Sequence, residues 1–297
     1  MDQSSLAEWN QLDLGDLLVL DQVDESRFRN RCSEDNRNGR VFGGQLLAQA
    51  LLAAQRDVAG ERHPSSLQVI FMHGAGTAAA VDYLVEPLQD GKRFSSRRVV
   101  AKQAGREAIS AHVTFAEDLE AAGHLAIPRM QYPAPDQLAA MSELASQKGG
   151  DFAGIDWANY EKPCLELRIV DPEHHLTGRC VAPRMAFWVR LRVPLDDAPH
   201  THNAALAYLS DYWINSAAIT HHIPARDAHA AAYIASLNHS LWFHASGRAD
   251  GWLLFECESG AMQQGRALSQ ARIYDAAGVL LASVAQECLF VNRQQPA

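Results

Sequence analysis

The chain reads as an α+β protein made of two tandem copies of one unit, a long buried helix followed by four antiparallel strands. Three observations predict this. Residues 41–58, VFGGQLLAQALLAAQRDV, are dense in Ala, Leu and Gln and apolar almost all round, so a helix there must be buried. Short strand-like runs separated by polar or glycine-bearing turns follow it. Past an irregular stretch the same order returns, with a second mostly apolar helix and four more strands. An internal duplication accounts for both halves, each wrapping a curved antiparallel sheet around its helix.

In chain order, a short acidic leader precedes residues 13–32, which read as a helical turn and an edge segment, and SEDNRNGRV is a polar turn. Gly43 and Gly44 open the first long helix, where N–H groups are unpaired; they either let something approach the backbone closely or simply allow tight packing on a sheet. Strands follow at 67–72, 80–86, 94–103 and 108–115, with DGK and QAGRE as turns. Residues 117–160, rich in Ala, Pro, Gly and charge, show no sustained alternation and read as a linker with some helix. Beyond it, 185–193 reads as a strand, 203–219 as a helix, and 234–243, 251–258, 266–274 and 279–291 as strands. The expected division is residues 1–120 for the first unit, 121–180 for the linker and 181–297 for the second.

Of the 297 residues, 47% are hydrophobic and 21% charged, the range of soluble globular proteins, and the length allows a large core. The net charge of -9 disfavours nucleic acid as a partner, and no basic tract offsets it. Neither terminus shows a secretory, peroxisomal or lipidation signal, and no apolar run is long enough for membrane insertion, so a cytoplasmic location is expected. Cys32, Cys164, Cys180, Cys257 and Cys288 are scattered and never spaced as CxxC, which predicts reduced thiols rather than a disulfide framework or zinc site. His200, His202, His221 and His222 flank the second helix and are expected in loops, a poor arrangement for a metal. The GxSxG elbow, GxGxxG and phosphate-loop patterns are absent.

Three polar residues stand out. Asp211, within LAYLSDYWI, lies in a helix window that has no other charge between His202 and Ile219. Helical spacing puts it on the side of Ala207, Asn215 and Ala218, and a buried carboxylate there costs several kcal/mol unless hydrogen-bonded or neutralised. Gln286, within LLASVAQECLF, shares its strand face with Leu280, Ala282, Val284, Cys288 and Phe290, so its amide needs partners. In IASLNHSLWFH, a period of two groups Ser236 with Ile234, Asn238, Ser240 and Trp242, and His239 with Ala235, Leu237, Leu241 and Phe243.

RVFGGQLLAQAL, DGKRFSSRRVVA, LAYLSDYWI, IASLNHSLWFH and ASVAQE, spread in order between Leu12 and Arg293, are long motifs, and with them the chain resembles the acyl-CoA thioesterase II family. The resemblance implies a double hotdog fold, acyl-CoA as substrate, hydrolysis to fatty acid and CoA without metal or organic cofactor, and a homodimer or tetramer. The family's catalytic Asp, Thr or Ser, and Gln fall by motif on Asp211, Ser236 and Gln286. Many members have Asp where this chain has Asn238, a position that could tune the site. The Gly43–Gly44 region is a candidate oxyanion donor, and Arg97, Arg98 and Arg266 are possible phosphate contacts outside the core assignment. Rival readings are a non-catalytic acyl-CoA sensor and a hotdog enoyl-CoA hydratase; the latter's Asp and His five residues apart have no counterpart, since Ser216 stands five after Asp211.

Overall fold

In the computed structural model, residues 6–36, 38–56, 58, 62–146, 152, 155, 160–178 and 182–293 are described; both chain ends beyond them and Cys180 lie outside. The chain opens with α1 (Leu14–Leu18), whose N-cap Asp13 accepts from the Gly15 N–H, and two short strands, β1 (Leu20–Gln22) and β2 (Arg27–Asn30). The apolar helix expected next is α2 (Gly43–Gln55), buried along almost its whole length. Its two buried amides are paid for internally: Gln45 accepts from the Glu34 N–H at 2.8 Å and donates to Cys32 O, while Gln49 donates to Leu17 O and accepts from the Tyr83 hydroxyl at 2.7 Å. Strands β3 (His63–Phe71), β4 (Asp82–Asp90), β5 (Phe94–Gln103) and β6 (Arg106–Ala116) complete the first half. The β5–β6 turn is a two-residue one with Ala104 and Gly105 both at positive φ, the geometry that suits a twisted hairpin.

The stretch from 117 onward is less of a free linker than its composition implies. Residues 126–138 lie as a strap over the outer face of the second half, where Ala126, Tyr132 and Leu138 pack against Ala186, Trp188, Leu254, Tyr274 and Leu280. Arg129 pairs with Glu258, the Tyr132 hydroxyl donates to Glu256 at 2.8 Å, and Trp188 Nε1 donates to Pro133 O at 2.9 Å. After α3 (Met141–Ser146) the same span contributes β7 (Leu165–Ile169) to the sheet, followed by α4 (Pro172–Leu176) and β8 (Arg184–Leu191).

The second helix is two helices. α5 (Pro199–Ser210) stops at Asp211, its C-cap; a turn with Trp213 at φ 62° intervenes, and α6 (Ser216–His222) and α7 (Ala225–Ala231) follow. Asp211 therefore does not share a helix face with Asn215 and Ala218 as the spacing predicts, because no continuous helix joins them. His200 and His202 belong to α5, and His221 and His222 to the last turn of α6, rather than to loops. Strands β9 (Ala232–Phe243), β10 (Leu253–Gln263), β11 (Arg266–Asp275) and β12 (Leu280–Asn292) close the fold.

Among the described residues, twelve strands form one antiparallel sheet in the order β1-β2-β4-β5-β6-β3-β9-β12-β11-β10-β8-β7. The order is symmetric about the β3–β9 seam: β6 and β12, β5 and β11, and β4 and β10 occupy matching places. Duplication is thus written in the topology, with α2 and α5 packed against each other inside the curved sheet. Among the described residues no helix is long and apolar enough to cross a membrane.

Candidate active site

Asp211 sits where α5 ends and α2 begins. The approach of the two helices is close enough to exclude any side chain at the start of α2. A Cβ on Gly43 would lie 2.5 Å from Asp211 Oδ2, and one on Gly44 would lie 2.4 Å from Tyr208 O. Of the two uses of these glycines left open by the sequence, close approach to another group holds at Gly43, whereas Gly44 is packed against the backbone of α5 and not on a sheet. The Gly44 N–H, unpaired within its helix, lies on the side of the Asp211 carboxylate and favours its ionised form.

Gln286 reaches Asp211 from β12. It is fully buried, on the inner face expected from alternation; its amide donates from Nε2 to Ser236 Oγ at 2.9 Å and favours the ionised form of the neighbouring Asp211 carboxylate. Ser236 arrives there through a β-bulge. Gln286 pairs with His239 and Glu287 with Asn238, but Cys288 pairs with Ser236, so Leu237 has no partner across the ladder. The extra residue turns Ser236 away from the Asn238 face and onto the face of His239 and Gln286. Strict alternation had grouped it with Asn238, and the bulge corrects that grouping. Asn238 points the other way and donates to Glu287 Oε2 at 3.0 Å, with Arg266 on the other oxygen of the same carboxylate at 3.0 Å. It does not adjoin Asp211 as a tuning group would.

Beside Asp211 lies a partly buried charge cluster that sequence reasoning missed. Lys162 Nζ is 2.7 Å from Glu34 Oε1 and 3.0 Å from the centroid of the Phe42 ring, and donates to the Tyr208 hydroxyl at 3.1 Å; that hydroxyl donates to Glu34 Oε2 at 2.8 Å. Burial lowers the Lys162 ammonium and Glu34 pulls it back up. The only signal in the sequence was charge inside a polar turn and a linker, which ordinarily means solvated surface. Burial pushes the Asp211 carboxyl from 3.8 up to about 6, held from rising further by the Gln286 amide, the charge of Lys162 and the Gly44 N–H, with Glu34 adding a small push upward. Asp211, Lys162, Glu34 and Phe42 line a crevice of ≈ 980 Å³, whose walls include Trp9, Tyr160, Trp213 and Tyr233.

The arginines considered for phosphate are engaged: Arg97 is buried against Asp90 at 2.9 Å, Arg98 faces Glu86 at 3.6 Å and Arg266 holds Glu287. Among the described residues no group of three or more His, Cys, Asp or Glu side chains is placed to hold a metal. What the arrangement offers chemically is a carboxylate titrating close to neutrality, an amide that grips it, and a hydroxyl. Because Ser236 accepts from Gln286, its own proton remains available to a water or a carbonyl oxygen.

The fold agrees with known proteins. Models described as acyl-CoA thioesterase N-terminal domain and acyl-CoA thioesterase C-terminal domain match residues 33–116 and 135–290. Acyl-coenzyme A thioesterase 8 of Homo sapiens is 32% identical over 280 residues, which span 91% of this chain and 86% of the human one. Acyl-CoA thioesterase II TesB2 from Mycobacterium marinum superposes with a TM-score of 0.77 at 28% identity, covering 95% of this chain and 99% of that one. A hot dog fold protein from Alicyclobacillus acidocaldarius, at 18% identity, TM-score 0.72 and coverage of 95% and 98%, shares the fold. The architecture is a double hotdog. The chain belongs to the acyl-CoA thioesterase family and is a thioester hydrolase of that family.

Proposed function

We propose that the chain hydrolyses fatty acyl-CoA to fatty acid and CoA by water attack, with Asp211 as general base and Gln286 and Ser236 holding the carboxylate and the water. The observation that carries this reading is Asp211 itself: a carboxylate lining the crevice, raised to about 6 and gripped by Gln286 and Gly44. Once ionised, it takes a proton from water as the oxygen attacks the thioester carbon. The tetrahedral intermediate collapses with cleavage of the C–S bond. CoA leaves as a thiolate, whose conjugate acid has a pKa of about 8.5, so a strong general acid is unnecessary, and the thiolate then recovers the proton from Asp211. The Ser236 O–H is the donor closest in role to an oxyanion partner, since its oxygen accepts from Gln286 and its proton is available.

The test is release of free thiol from acyl-CoA esters of C2 to C18 by the wild type and by Asp211→Asn. The variant is expected to lose on the order of 10²–10⁴ in kcat. Wild-type turnover should rise as pH increases through about 6, the Asp211 value, and then level off. Full turnover by Asp211→Asn would overturn the assignment. Binding of acyl-CoA without turnover by the wild type would support the sensor reading instead.

A further inference from the structure

The strand that carries Ser236 also carries a histidine for which hydrolysis has no direct use. His239 is fully buried and stands opposite Gln286 in the β9–β12 register. Both ring nitrogens are engaged: Nδ1 with Gln286 Oε1, and Nε2 with Ser210 Oγ at 2.8 Å. Gln286 Nε2 donates to Ser236 on the far side of the amide, and the same amide lowers the Asp211 value. Ser210 is also buried and immediately precedes Asp211 in the chain. A continuous line of hydrogen bonds therefore runs Ser210, His239, Gln286 and Ser236, with the Gln286 amide also favouring the ionised form of Asp211.

An amide has a donor end and an acceptor end, and an ionised carboxylate tolerates only the donor. We propose that His239 is a positioning residue: its Nδ1–H holds the Gln286 carbonyl oxygen and thereby commits the amide N–H groups to Asp211 and Ser236. The inference rests on the roles assigned above to Asp211 and Gln286. Proton placement follows from it. A neutral imidazole has one N–H; with that proton on Nδ1, Gln286 Oε1 accepts it and Nε2 accepts the Ser210 hydroxyl proton. In the other tautomer Nδ1 becomes an acceptor, Gln286 gives its NH2 to the ring, and its carbonyl oxygen is turned against the Asp211 carboxylate. Ser210 can also donate to Ala207 O at 2.8 Å, so the direction of this single hydroxyl sets the tautomer. Burial keeps the ring neutral, lowering His239 to about 4.

His239→Leu removes the donor, whereas His239→Asn places an amide N–H near the position of Nδ1–H. In the leucine variant kcat should fall about 10²-fold. KM should stay within about twofold, because the amide is misplaced rather than the substrate. The acid limb of its rate profile should move to higher pH, since the amide no longer faces Asp211 donor first, while Lys162 and Glu34, the other charges acting on Asp211, are unchanged. The asparagine variant should recover most of kcat and return the limb to its wild-type position. A leucine variant with wild-type kcat and acid limb, or an asparagine variant as slow as leucine, overturns the proposal. Nitrogen-15 NMR of the wild-type ring needs no variant to fold: protonated Nδ1 supports the inference and protonated Nε2 sinks it. Gln286→Ala, measured alongside, separates the two levels. Full turnover there removes the site reading itself, whereas loss there with normal turnover in His239→Leu removes only the positioning role.

Discussion

At neutral pH the Asp211 carboxylate works against the stability of the fold that holds it. Its acid form is favoured in the folded state, where the value is about 6 against an ordinary 3.8, so the folded chain binds more protons than the unfolded one between those values. Stability contributed by this group is therefore present below about pH 4 and is lost as pH rises through 6, to the extent of roughly 3 kcal/mol. Asp211→Asn removes the titration. Urea melts should show the variant more stable than the wild type at pH 7.5 by up to this amount, with the difference shrinking to nothing near pH 4. His239 and His175, both lowered by burial to about 4, act with the opposite sign and lose stability as pH falls below 6.5, but they do so equally in both proteins. A difference between the two proteins that does not grow between pH 4 and 7.5 would mean that Asp211 is not held in this environment.

At the scale of elements, the site depends on three irregularities, and these are what periodicity cannot display. Residues 94–103 were legible as a strand to the residue, and the burial of Gln286 followed from plain alternation along β12. Ser236 was reachable only through the family motif, because the bulge at Leu237 reverses the face that a period of two assigns. The break after Ser210 is hidden for a similar reason: residues 203–219 are apolar enough to read as one helix, and the positive φ at Trp213 has no glycine to announce it. Lys162 and Glu34 were invisible because the two halves of the pair lie far apart in sequence and no local pattern joins them. The start of α2 is the third irregularity and yields a direct test. In Gly43→Ala the new Cβ, 2.5 Å from Asp211 Oδ2 and 3.2 Å from Phe71, forces the carboxylate or the helix to move. Thiol release should fall on the order of 10²-fold, as for a small misplacement of a reacting group. An alanine variant with wild-type kcat would show that this end of the helix can shift without disturbing Asp211.

Taken as one molecule, the two halves are tied more closely than a duplicated sequence with a long intervening stretch implies. The irregular composition of 117–160 pointed to two units separated by a linker, since a strap over a sheet face has no period of its own, and the alternation of β7, within the expected linker span 121–180, is too brief to register. Three links bind the halves instead. The sheet continues across the β3–β9 seam, where Leu67 and Leu241 are paired and both fully buried; α2 packs on α5; and one apolar core takes residues from both halves. Separate domains joined by a small polar contact would unfold separately, but a shared core and a continuous hydrogen-bond ladder couple the halves into one transition. Scanning calorimetry should accordingly give a single peak with matching calorimetric and van't Hoff enthalpies. Leu241→Ala, which opens a cavity at the seam, should cost about 2–5 kcal/mol and lower that peak as a whole. Because Asp211 is gripped by Gly44 from the first half and Gln286 from the second, thiol release should disappear along the same curve. Two peaks, or a first peak that leaves activity intact, would show that the seam joins two units able to fold alone.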